Sequence, residues 1–171
     1  MGSTTPTSKQ LSTSAHLPDE EPDLLLGPDS DADPLVSVVM PTMNEEQGVE
    51  TCIDYVKNAV RESGYRTEVV ISDDSTDRTP EIAREAGAIV VEPDEPGYGY
   101  AYRYAFRHCR GDYIIIGDAD TTYDFQQFPE LLDPVVNGEA DMVMGSRLEG
   151  EIKDGAMPPL VIDPSDEISV R

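Results

Sequence analysis

The 171-residue chain has no tryptophan, two cysteines, two histidines, and 12 basic residues against 35 acidic ones. Because Cys52 and Cys109 stand alone, they form neither a disulfide framework nor a zinc-type cluster. The formal net charge of −23 argues against direct electrostatic binding to nucleic acid or to an anionic membrane surface. Neither histidine has the neighbours of a base–nucleophile pair. Composition therefore excludes several common classes of site.

The sequence also lacks any apolar run that approaches the length of a membrane span, about 18 residues. Its first residues show no apolar segment preceded by basic residues, so we expect no secretory signal. The expected location is the cytoplasm or the cytoplasmic face of a membrane, with only indirect membrane association.

Acidic residues are spread along the whole chain. Residues 1–34 contain seven acids and one lysine, so the remainder holds 28 acids against 11 bases. A surface of this kind stays hydrated in molar salt, where its self-repulsion is screened. We therefore expect a halophilic protein, adapted to a salt-rich cytoplasm.

Composition divides the chain into three segments. Residues 1–34 are rich in Ser, Thr, Pro and Asp, with Leu24-Leu25-Leu26 as their only apolar patch, and we expect a disordered acidic leader. Residues 35–160 are expected to form the folded domain. Residues 161–171 are expected to be a divergent C-terminal tail.

Strands and helices alternate within the predicted domain. Apolar runs predict strands at 35–40, 67–71, 88–91, 112–117 and 141–144, with helices between them, one of which begins at about Glu46 and another of which is capped by Thr79. The three isoleucines 114–116 are typical of a strand that is buried on both faces. This order predicts an α/β fold of right-handed βαβ units, with a mostly parallel sheet flanked by helices.

Two carboxylates, Asp118 and Asp120, directly follow the isoleucine strand. Ligands bind at the carboxyl ends of strands in open α/β sheets, and carboxylates there can hold Mg²⁺ or Mn²⁺ against nucleotide phosphates. The Asp-x-Asp pattern also occurs at 29–31 and 31–33, where no strand precedes it. A solvated turn is therefore the alternative interpretation of 118–120.

Two other predicted strands end in polar residues on the same edge of the sheet. They are Thr42, Asn44 and Glu45 after the first strand, and Asp73, Asp74 and Asp77 after the second. In this arrangement Asp73 can accept an N–H of a base while Asp118 and Asp120 hold a metal on the diphosphate. The convergence predicts a nucleotide-diphosphate site.

Two further features have more than one interpretation. Arg147 follows the last predicted strand and is either a phosphate clamp or a surface arginine paired with an acid. Four tyrosines alternate between residues 98 and 104 and so fall all around a predicted helix. We interpret most of them as packing residues.

In this order the motifs resemble family 2 glycosyltransferases of the Rossmann-like GT-A fold, in the branch of dolichyl-phosphate mannose and glucose synthases. They are Pro41-Thr-Met-Asn44-Glu, Ser72-Asp73-Asp74-Ser75-Thr-Asp77, Gly97-Tyr-Gly99, Gly117-Asp-Ala-Asp120 and Gly145-Ser-Arg147. The resemblance covers roughly residues 35–160. Five ordered motifs are more specific than any one of them.

The resemblance implies an inverting, Mg²⁺- or Mn²⁺-dependent transfer of a hexose. The donor would be a nucleotide-diphosphate sugar of the UDP-glucose or GDP-mannose type, and the acceptor a polyprenyl or dolichyl phosphate, in lipid-linked glycan synthesis or protein glycosylation. The residue roles it implies are a nucleotide pocket lined by Pro41, Thr42, Asn44 and Glu45, a base contact from Asp73, a ribose and metal contact from Asp118, the main metal ligand Asp120, and a phosphate contact from Arg147.

The sequence departs from this family in two places. Asp74 stands where the family usually has glycine, and residues 161–171 replace the basic, aromatic continuation that usually follows a segment like Pro159-Leu160. We therefore expect a truncated chain that keeps the donor half. The alternative is a non-catalytic nucleotide-sugar-binding fragment. A nucleotidyltransferase is disfavoured, because the turn at 41–46 is neither glycine-rich nor basic.

Overall fold

The computed structural model describes residues 24–145 and shows a four-stranded parallel sheet in the order β3-β2-β1-β4. The strands are β1 (Val36–Thr42), β2 (Thr67–Asp73), β3 (Ile89–Val91) and β4 (Tyr113–Ile116). The α-helices in this range are α1 (Val49–Ser63), α2 (Thr79–Glu85), α3 (Tyr98–Ala105) and α4 (Phe128–Val136). Short 3₁₀ turns lie at Phe106–His108 and Phe125–Gln127. The predicted α/β class is confirmed.

The two central strands are buried on both faces. Val38 and Met40 of β1 pack with Ile71 of β2 under α1 and α4. Val39 and Val70 point to the opposite face and pack with residues of α3. Continuous apolar runs are what a parallel strand covered on both faces requires, and this accounts for the composition of β1 and β2.

Strand β4 lies at an edge of the sheet within residues 24–145, so the prediction that 114–116 is buried on both faces is wrong. Ile115 packs against the α1 side, whereas Ile114 and Ile116 are 45% and 59% exposed. The physical reason is the placement of α3, which packs mainly on β1 and β2.

The predicted fifth strand, 141–144, is not formed in the sheet. Helices α1 and α4 contact each other and lie on the same face. Right-handed crossovers on one face all step in the same direction across the sheet. A parallel strand that followed α4 and paired directly with β4 would therefore need the position that β1 already occupies, and Met142 and Met144 are instead exposed.

Residues 24–34 pack on the domain, so the predicted disordered leader does not hold for this part of its range. Thr67 donates its N–H to the Leu24 carbonyl at 2.9 Å and accepts from the Leu26 N–H at 2.8 Å. Leu26 is buried. The leucine patch thus finds an apolar position beside the start of β2, while residues 1–23 and 146–171, including the predicted tail, lie outside the described residues.

Helix α1 begins at Val49, later than the predicted start near Glu46, because residues 45–48 form a turn in which the Glu45 carbonyl accepts from the N–H groups of Gly48 and Val49. It ends at Ser63, and Gly64 directly after it has a φ of +73°, the left-handed conformation typical of a helix C-terminus. Within residues 24–145, none of the helices is both long and apolar enough to cross a membrane.

Candidate active site

The loops that follow β1, β2 and β4 emerge together at the carboxyl edge of the sheet. From β1 the chain steps through α1 to β2, whereas α3 carries it back across the sheet to β4, on the other side of β1. Such a reversal of strand order opens a crevice between the loops that follow β1 and β4. Apart from Arg147, which lies outside the described residues, the predicted site residues are at this edge.

The side chains of Thr42 and Asp73 are bonded to each other at the ends of β1 and β2. The two residues are paired in register, and the Thr42 hydroxyl donates to Asp73 Oδ1 at 2.6 Å. Ser75 donates its hydroxyl to the same oxygen at 2.6 Å and its N–H to Oδ2 at 3.3 Å. These donors fix the orientation of a carboxylate that is only 5% exposed.

Asn44 links the β1 loop to the β2 loop. Its φ of +62° is uncommon for a residue other than glycine, although asparagine tolerates it better than most. The Asn44 N–H donates to Ser75 Oγ at 2.7 Å, and Asn44 Oδ1 accepts from the Thr76 N–H at 2.9 Å and the Thr76 hydroxyl at 3.2 Å. The contacts of this amide oxygen are therefore to the protein itself.

Glu45 lies where the loops after β1, β2 and β4 approach one another. Burial raises the pKa of its carboxyl group, and the negative charges of Asp120, Asp77 and Asp118 raise it further. Because these carboxylates repel the ionised form of Glu45, the crevice concentrates negative potential. That potential favours a cation there.

Asp77 and Thr79 form the start of α2, and the prediction that Thr79 caps this helix is corrected. Thr79 is the first helical residue; its N–H and hydroxyl both donate to Asp77 Oδ1, and its hydroxyl accepts from the Glu45 N–H at 2.8 Å. Desolvation would raise the pKa of Asp77, but the hydrogen bonds from Thr79 outweigh it and lower the pKa. Asp77 therefore stabilises the loop between β2 and α2 through its hydrogen bonds with Thr79.

Asp118 receives hydrogen bonds from two tyrosines of α3, which the sequence interpretation assigned mostly to packing. The Tyr98 hydroxyl donates to Asp118 Oδ1 at 2.7 Å, and the Tyr102 hydroxyl lies 3.4 Å from the same oxygen and 3.3 Å from the Gly117 carbonyl. Burial, the contact with Tyr98 and the charge of Asp118 raise the pKa of the Tyr102 phenol. The Tyr102 contact lowers the pKa of the Tyr98 phenol, but the hydrogen bond to Asp118 and desolvation outweigh it and raise that pKa. Both phenols are thus protonated donors.

Asp120 is exposed on a tight turn. Its Oδ1 accepts from the Thr122 N–H at 2.9 Å, and Thr121 has a φ of +64°. The turn contacts the start of α1 so closely that a Cβ added to Gly48 would lie 2.7 Å from the Ala119 carbonyl oxygen. Only glycine at position 48 leaves this turn undisturbed.

Asp118 and Asp120 suit a cation that arrives with a ligand. Among residues 24–145, no group of three or more histidine, cysteine or acidic side chains forms a metal site by itself. Mg²⁺ typically binds through one or two carboxylates together with substrate phosphates and water. The two carboxylates therefore fit a cation on a diphosphate, and they would not make a structural metal site.

A shallow depression lies beside Asp73 on the β3 side. Asp74, Pro80, Arg84 and Glu92 line it together with Asp73. Pro41, half-buried in β1, is paired with Ser72 of β2, which places it behind these loops. Arg84 was not among the predicted site residues, because its position near the end of a short helix gives no sign of which side it faces. Tyr98 and Tyr102 were not among them either, although their spacing of four residues places them on one face of a helix.

Comparison with known proteins shows where the chain has relatives. Residues 37–163 match the family model described as Glycosyl transferase family 2. The chain is 59% identical over 154 residues to low-salt glycan biosynthesis hexosyltransferase Agl6 of Haloferax volcanii, covering 90% of this chain and 37% of that protein. It is 39% identical over 113 residues to a dolichyl-phosphate hexose transferase of the same species, covering 66% of this chain and 48% of the relative.

Solved structures with this fold include two sugar-phosphoglycerate synthases. The glucosyl-3-phosphoglycerate synthase of Mycobacterium tuberculosis, solved with Mn²⁺, UDP and glucosyl-3-phosphoglycerate, is 30% identical with a TM-score of 0.54, over 62% of this chain and 41% of that one. The mannosyl-3-phosphoglycerate synthase of Rubrobacter xylanophilus is 29% identical with a TM-score of 0.55, over 60% and 36%. The expected GT-A fold is confirmed.

Proposed function

The chain belongs to glycosyl transferase family 2, and on this premise we propose that it is the donor-binding part of a metal-dependent, inverting hexosyltransferase. The proposed donor is a nucleotide-diphosphate sugar of the UDP-glucose or GDP-mannose type. The proposed acceptor is a polyprenyl or dolichyl phosphate at the cytoplasmic face of a membrane. The glycosyltransferase domain would extend to about residue 160, with 24–34 packed on it.

The observation that carries this proposal is the meeting of three strand-end loops at one crevice. The charges of Asp118 and Asp120 act on Glu45 of the β1 loop, and Thr42 of β1 bonds to Asp73 of β2. The proposed base acceptor, Asp73, and the two proposed metal ligands, Asp118 and Asp120, thus share an edge of the sheet. A nucleoside diphosphate needs both recognition elements, one at each of its ends.

The contacts of each residue support the role that we propose for it. Asp73, fixed by Thr42 and Ser75, would accept an N–H of the base. Asp118 and Asp120 would hold Mg²⁺ or Mn²⁺, which when bound neutralises negative charge on the leaving diphosphate. Asn44, whose amide oxygen bonds to Thr76, would line the pocket by shaping the loop.

The remaining predicted residues would act at the margins of the same site. Pro41 would pack behind the nucleotide, Glu45 would face the cation, and Arg147 would contact the phosphates. If the acceptor is a polyprenyl phosphate, its own oxyanion can attack the anomeric carbon. The protein would then need to position the two substrates and exclude water, without a strong general base.

The names of the relatives support the hexose and the lipid phosphate. A relative at 39% identity is named a dolichyl-phosphate hexose transferase, and the one at 59% identity is a hexosyltransferase of glycan biosynthesis. The chain spans 37% and 48% of the length of these two relatives. The identity of the acceptor is therefore a proposal that rests on these names, whereas the contacts of residues 24–145 support the binding of the donor.

The decisive experiment measures binding before transfer. The full chain, in molar KCl, is titrated with UDP and with GDP in the presence and absence of Mn²⁺, and Asp120→Asn is compared with wild type. Asp54→Asn, an exposed change on α1, controls for the lost charge. Transfer is then assayed with labelled UDP-glucose or GDP-mannose and a polyprenyl phosphate.

We expect Mn²⁺-dependent binding that Asp120→Asn abolishes and Asp54→Asn preserves. Binding with no transfer to any polyprenyl phosphate would favour the non-catalytic nucleotide-sugar-binding alternative. No metal-dependent binding of either nucleotide would rule out both readings of the site.

A further inference from the structure

Two tyrosine hydroxyls meet at a single carboxylate oxygen in the crevice. Tyr98 and Tyr102 are one helical turn apart on α3, so their side chains lie on the same face. Both approach Asp118 Oδ1, at 2.7 Å and 3.4 Å. Tyr98 donates the stronger hydrogen bond, while the Tyr102 hydroxyl shares its proton between this oxygen and the Gly117 carbonyl at 3.3 Å. Contacts from two directions restrict rotation of the carboxylate about its last torsion, which is otherwise broad.

Of these two tyrosines, only Tyr102 packs against the hydrophobic core. Tyr102 is half-buried and packs with Val39 and Val70 beneath α3. Tyr98 is 64% exposed, and its ring meets the Tyr102 ring edge-on with centroids 5.2 Å apart. Tyr102 therefore holds the position of Tyr98, and Tyr98 makes the shorter contact with Asp118.

Asp118 needs such restraint because its surroundings are acidic. The charges of Asp118, Asp120 and Asp77 all act on Glu45 in the same crevice. Mutual repulsion turns mobile carboxylates away from one another, which would disperse the ligands that a cation needs. The phenol groups oppose this dispersal without adding a positive charge that would compete with the cation.

We infer that Tyr98 and Tyr102 are positioning residues for Asp118, holding its carboxylate in the orientation in which it meets the cation of a nucleoside diphosphate. The inference rests on the proposed function, because it requires Asp118 to contact that cation. Helix α3 would then contribute to metal affinity as well as to packing against the sheet.

The inference predicts a loss in metal affinity with little change in folding. Removing a hydrogen-bonding partner of a metal ligand typically lowers metal affinity about 10- to 100-fold. Tyr98→Phe and Tyr102→Phe keep both rings and delete the hydroxyls. We expect each to weaken Mn²⁺ binding in the presence of UDP by about ten-fold, and the double variant to weaken it by no more than about 100-fold.

Tyr100→Phe is the matched control. Tyr100 lies on the same helix and donates to a carboxylate, Asp94 Oδ1, at 2.6 Å. The change therefore deletes a tyrosine–carboxylate hydrogen bond of the same kind, at a carboxylate outside the β1, β2 and β4 loops. Its Mn²⁺ affinity is expected to equal that of wild type.

The experiment counts free Mn²⁺ by electron paramagnetic resonance while protein and UDP, or protein and GDP, are titrated in molar KCl. The same variants are titrated with the nucleotide in a chelator, and their thermal unfolding is recorded. The expected result is weaker Mn²⁺ binding for Tyr98→Phe and Tyr102→Phe, with unchanged metal-free nucleotide binding and unchanged unfolding temperature relative to Tyr100→Phe.

Three results would overturn the inference. Wild-type Mn²⁺ affinity in both tyrosine variants would show that the hydroxyls do not position Asp118, and would leave the proposed function intact. Equal Mn²⁺ affinity in Asp118→Asn and wild type would remove Asp118 from the cation site. Absence of Mn²⁺ binding with either nucleotide in wild type would end the inference together with the proposed function.

Discussion

Glu68 and Arg110 form an ion pair of 2.8 Å, in which the Glu68 side chain is fully buried. Glu68 also accepts from the Arg110 N–H at 2.6 Å and from the Ser37 hydroxyl at 2.7 Å. The other nitrogens of the Arg110 guanidinium donate to the carbonyls of Gly27 and Ser30. One arginine therefore satisfies a buried charge and ties the segment before β1 to the sheet.

Arg110→Ala should destabilise the fold. It leaves Glu68 buried without an opposite charge, and losing one partner of a buried pair costs about 3–5 kcal/mol. The partial exposure of the Arg110 side chain places the expected loss in unfolding free energy at the lower end, about 3 kcal/mol. Chemical denaturation in molar KCl measures it.

Lys57→Ala is the matched control for that change. Lys57 forms an ion pair of 2.8 Å with Asp54 on the surface of α1, and such pairs contribute about 0.5 kcal/mol or less. Similar losses from both variants would show that the Glu68–Arg110 pair is not the compensated buried charge described above.

Thr42→Val should weaken both the fold and nucleotide binding. The change keeps the shape of the side chain and removes the hydroxyl that donates to Asp73 at 2.6 Å. A hydrogen bond to a charged group contributes about 1.5–3 kcal/mol, so we expect a loss of that size in unfolding free energy. Thr51→Val, on the exposed side of α1, should change it by less than about 0.5 kcal/mol.

Calorimetry with UDP and GDP supplies the second measurement on Thr42→Val. Affinity should fall with or without Mn²⁺, because the proposed base contact of Asp73 is separate from the cation. A loss confined to the metal-containing titration would contradict the assigned role of Asp73.

Gly48→Ala should disturb the turn that carries Asp120. A Cβ at residue 48 would lie 2.7 Å from the backbone oxygen of Ala119, and crowding of this kind costs about 1–3 kcal/mol. We expect lower stability together with weaker Mn²⁺ binding.

Gly99→Ala is the opposite case, since nothing lies within 4 Å of its added Cβ inside α3. Replacing a helical glycine with alanine should stabilise the protein by about 0.5–1 kcal/mol. Unfolding curves and Mn²⁺ titrations of both alanine variants test the contrast. Full Mn²⁺ affinity in Gly48→Ala would show that the turn tolerates the added methyl group.

The raised pKa of Glu45 makes a prediction for pH. The folded protein binds this proton more tightly than the unfolded chain, so ionised Glu45 opposes folding above its folded pKa. That opposition disappears as pH falls from the folded pKa toward the ordinary value of 4.5. Glu45→Gln should therefore be more stable than wild type at neutral pH, and the gain should vanish in acid.

Carboxyl-resolved NMR titration checks the same group directly. We expect the pKa of Glu45 to lie above 4.5 without divalent ions and to fall when Mg²⁺ and UDP are added, since bound positive charge favours the ionised form. For the stability comparison of Glu45→Gln with wild type, Glu139→Gln, at an exposed position after α4, controls for the change in net charge. A pKa at or below the ordinary value in the metal-free protein would contradict the crowding of carboxylates.

Much of the sheet was predictable because the signal lies within each element. The apolar runs of β1 and β2 predict that both faces of these strands are covered, and the alternation with helices predicts parallel order. The residues of a strand do not, however, determine its position within the sheet. The isoleucines of β4 would read the same in a central strand, so only the placement of α3 reveals that Ile114 and Ile116 are exposed.

The site was predictable in its strand ends and not in its hydrogen bonds. Parallel topology alone brings Asp73 and Asp118 to one edge. Which donors reach them depends on the rotation of α3 about its axis, and alternating tyrosines give that rotation no preferred direction. The contact of Leu26 with the start of β2 is likewise a tertiary contact, and no local sequence pattern predicts it.

The hydrogen bonds of Asn44 and Thr42 to the β2 loop also have a kinetic consequence. Loops that are already tied together lose little conformational entropy when a ligand arrives, and ordering is one of the main costs of association. The rate of nucleotide capture on this side should then depend on encounter. Because a nucleotide and a chain of net charge −23 repel each other, that rate should rise as salt screens the repulsion.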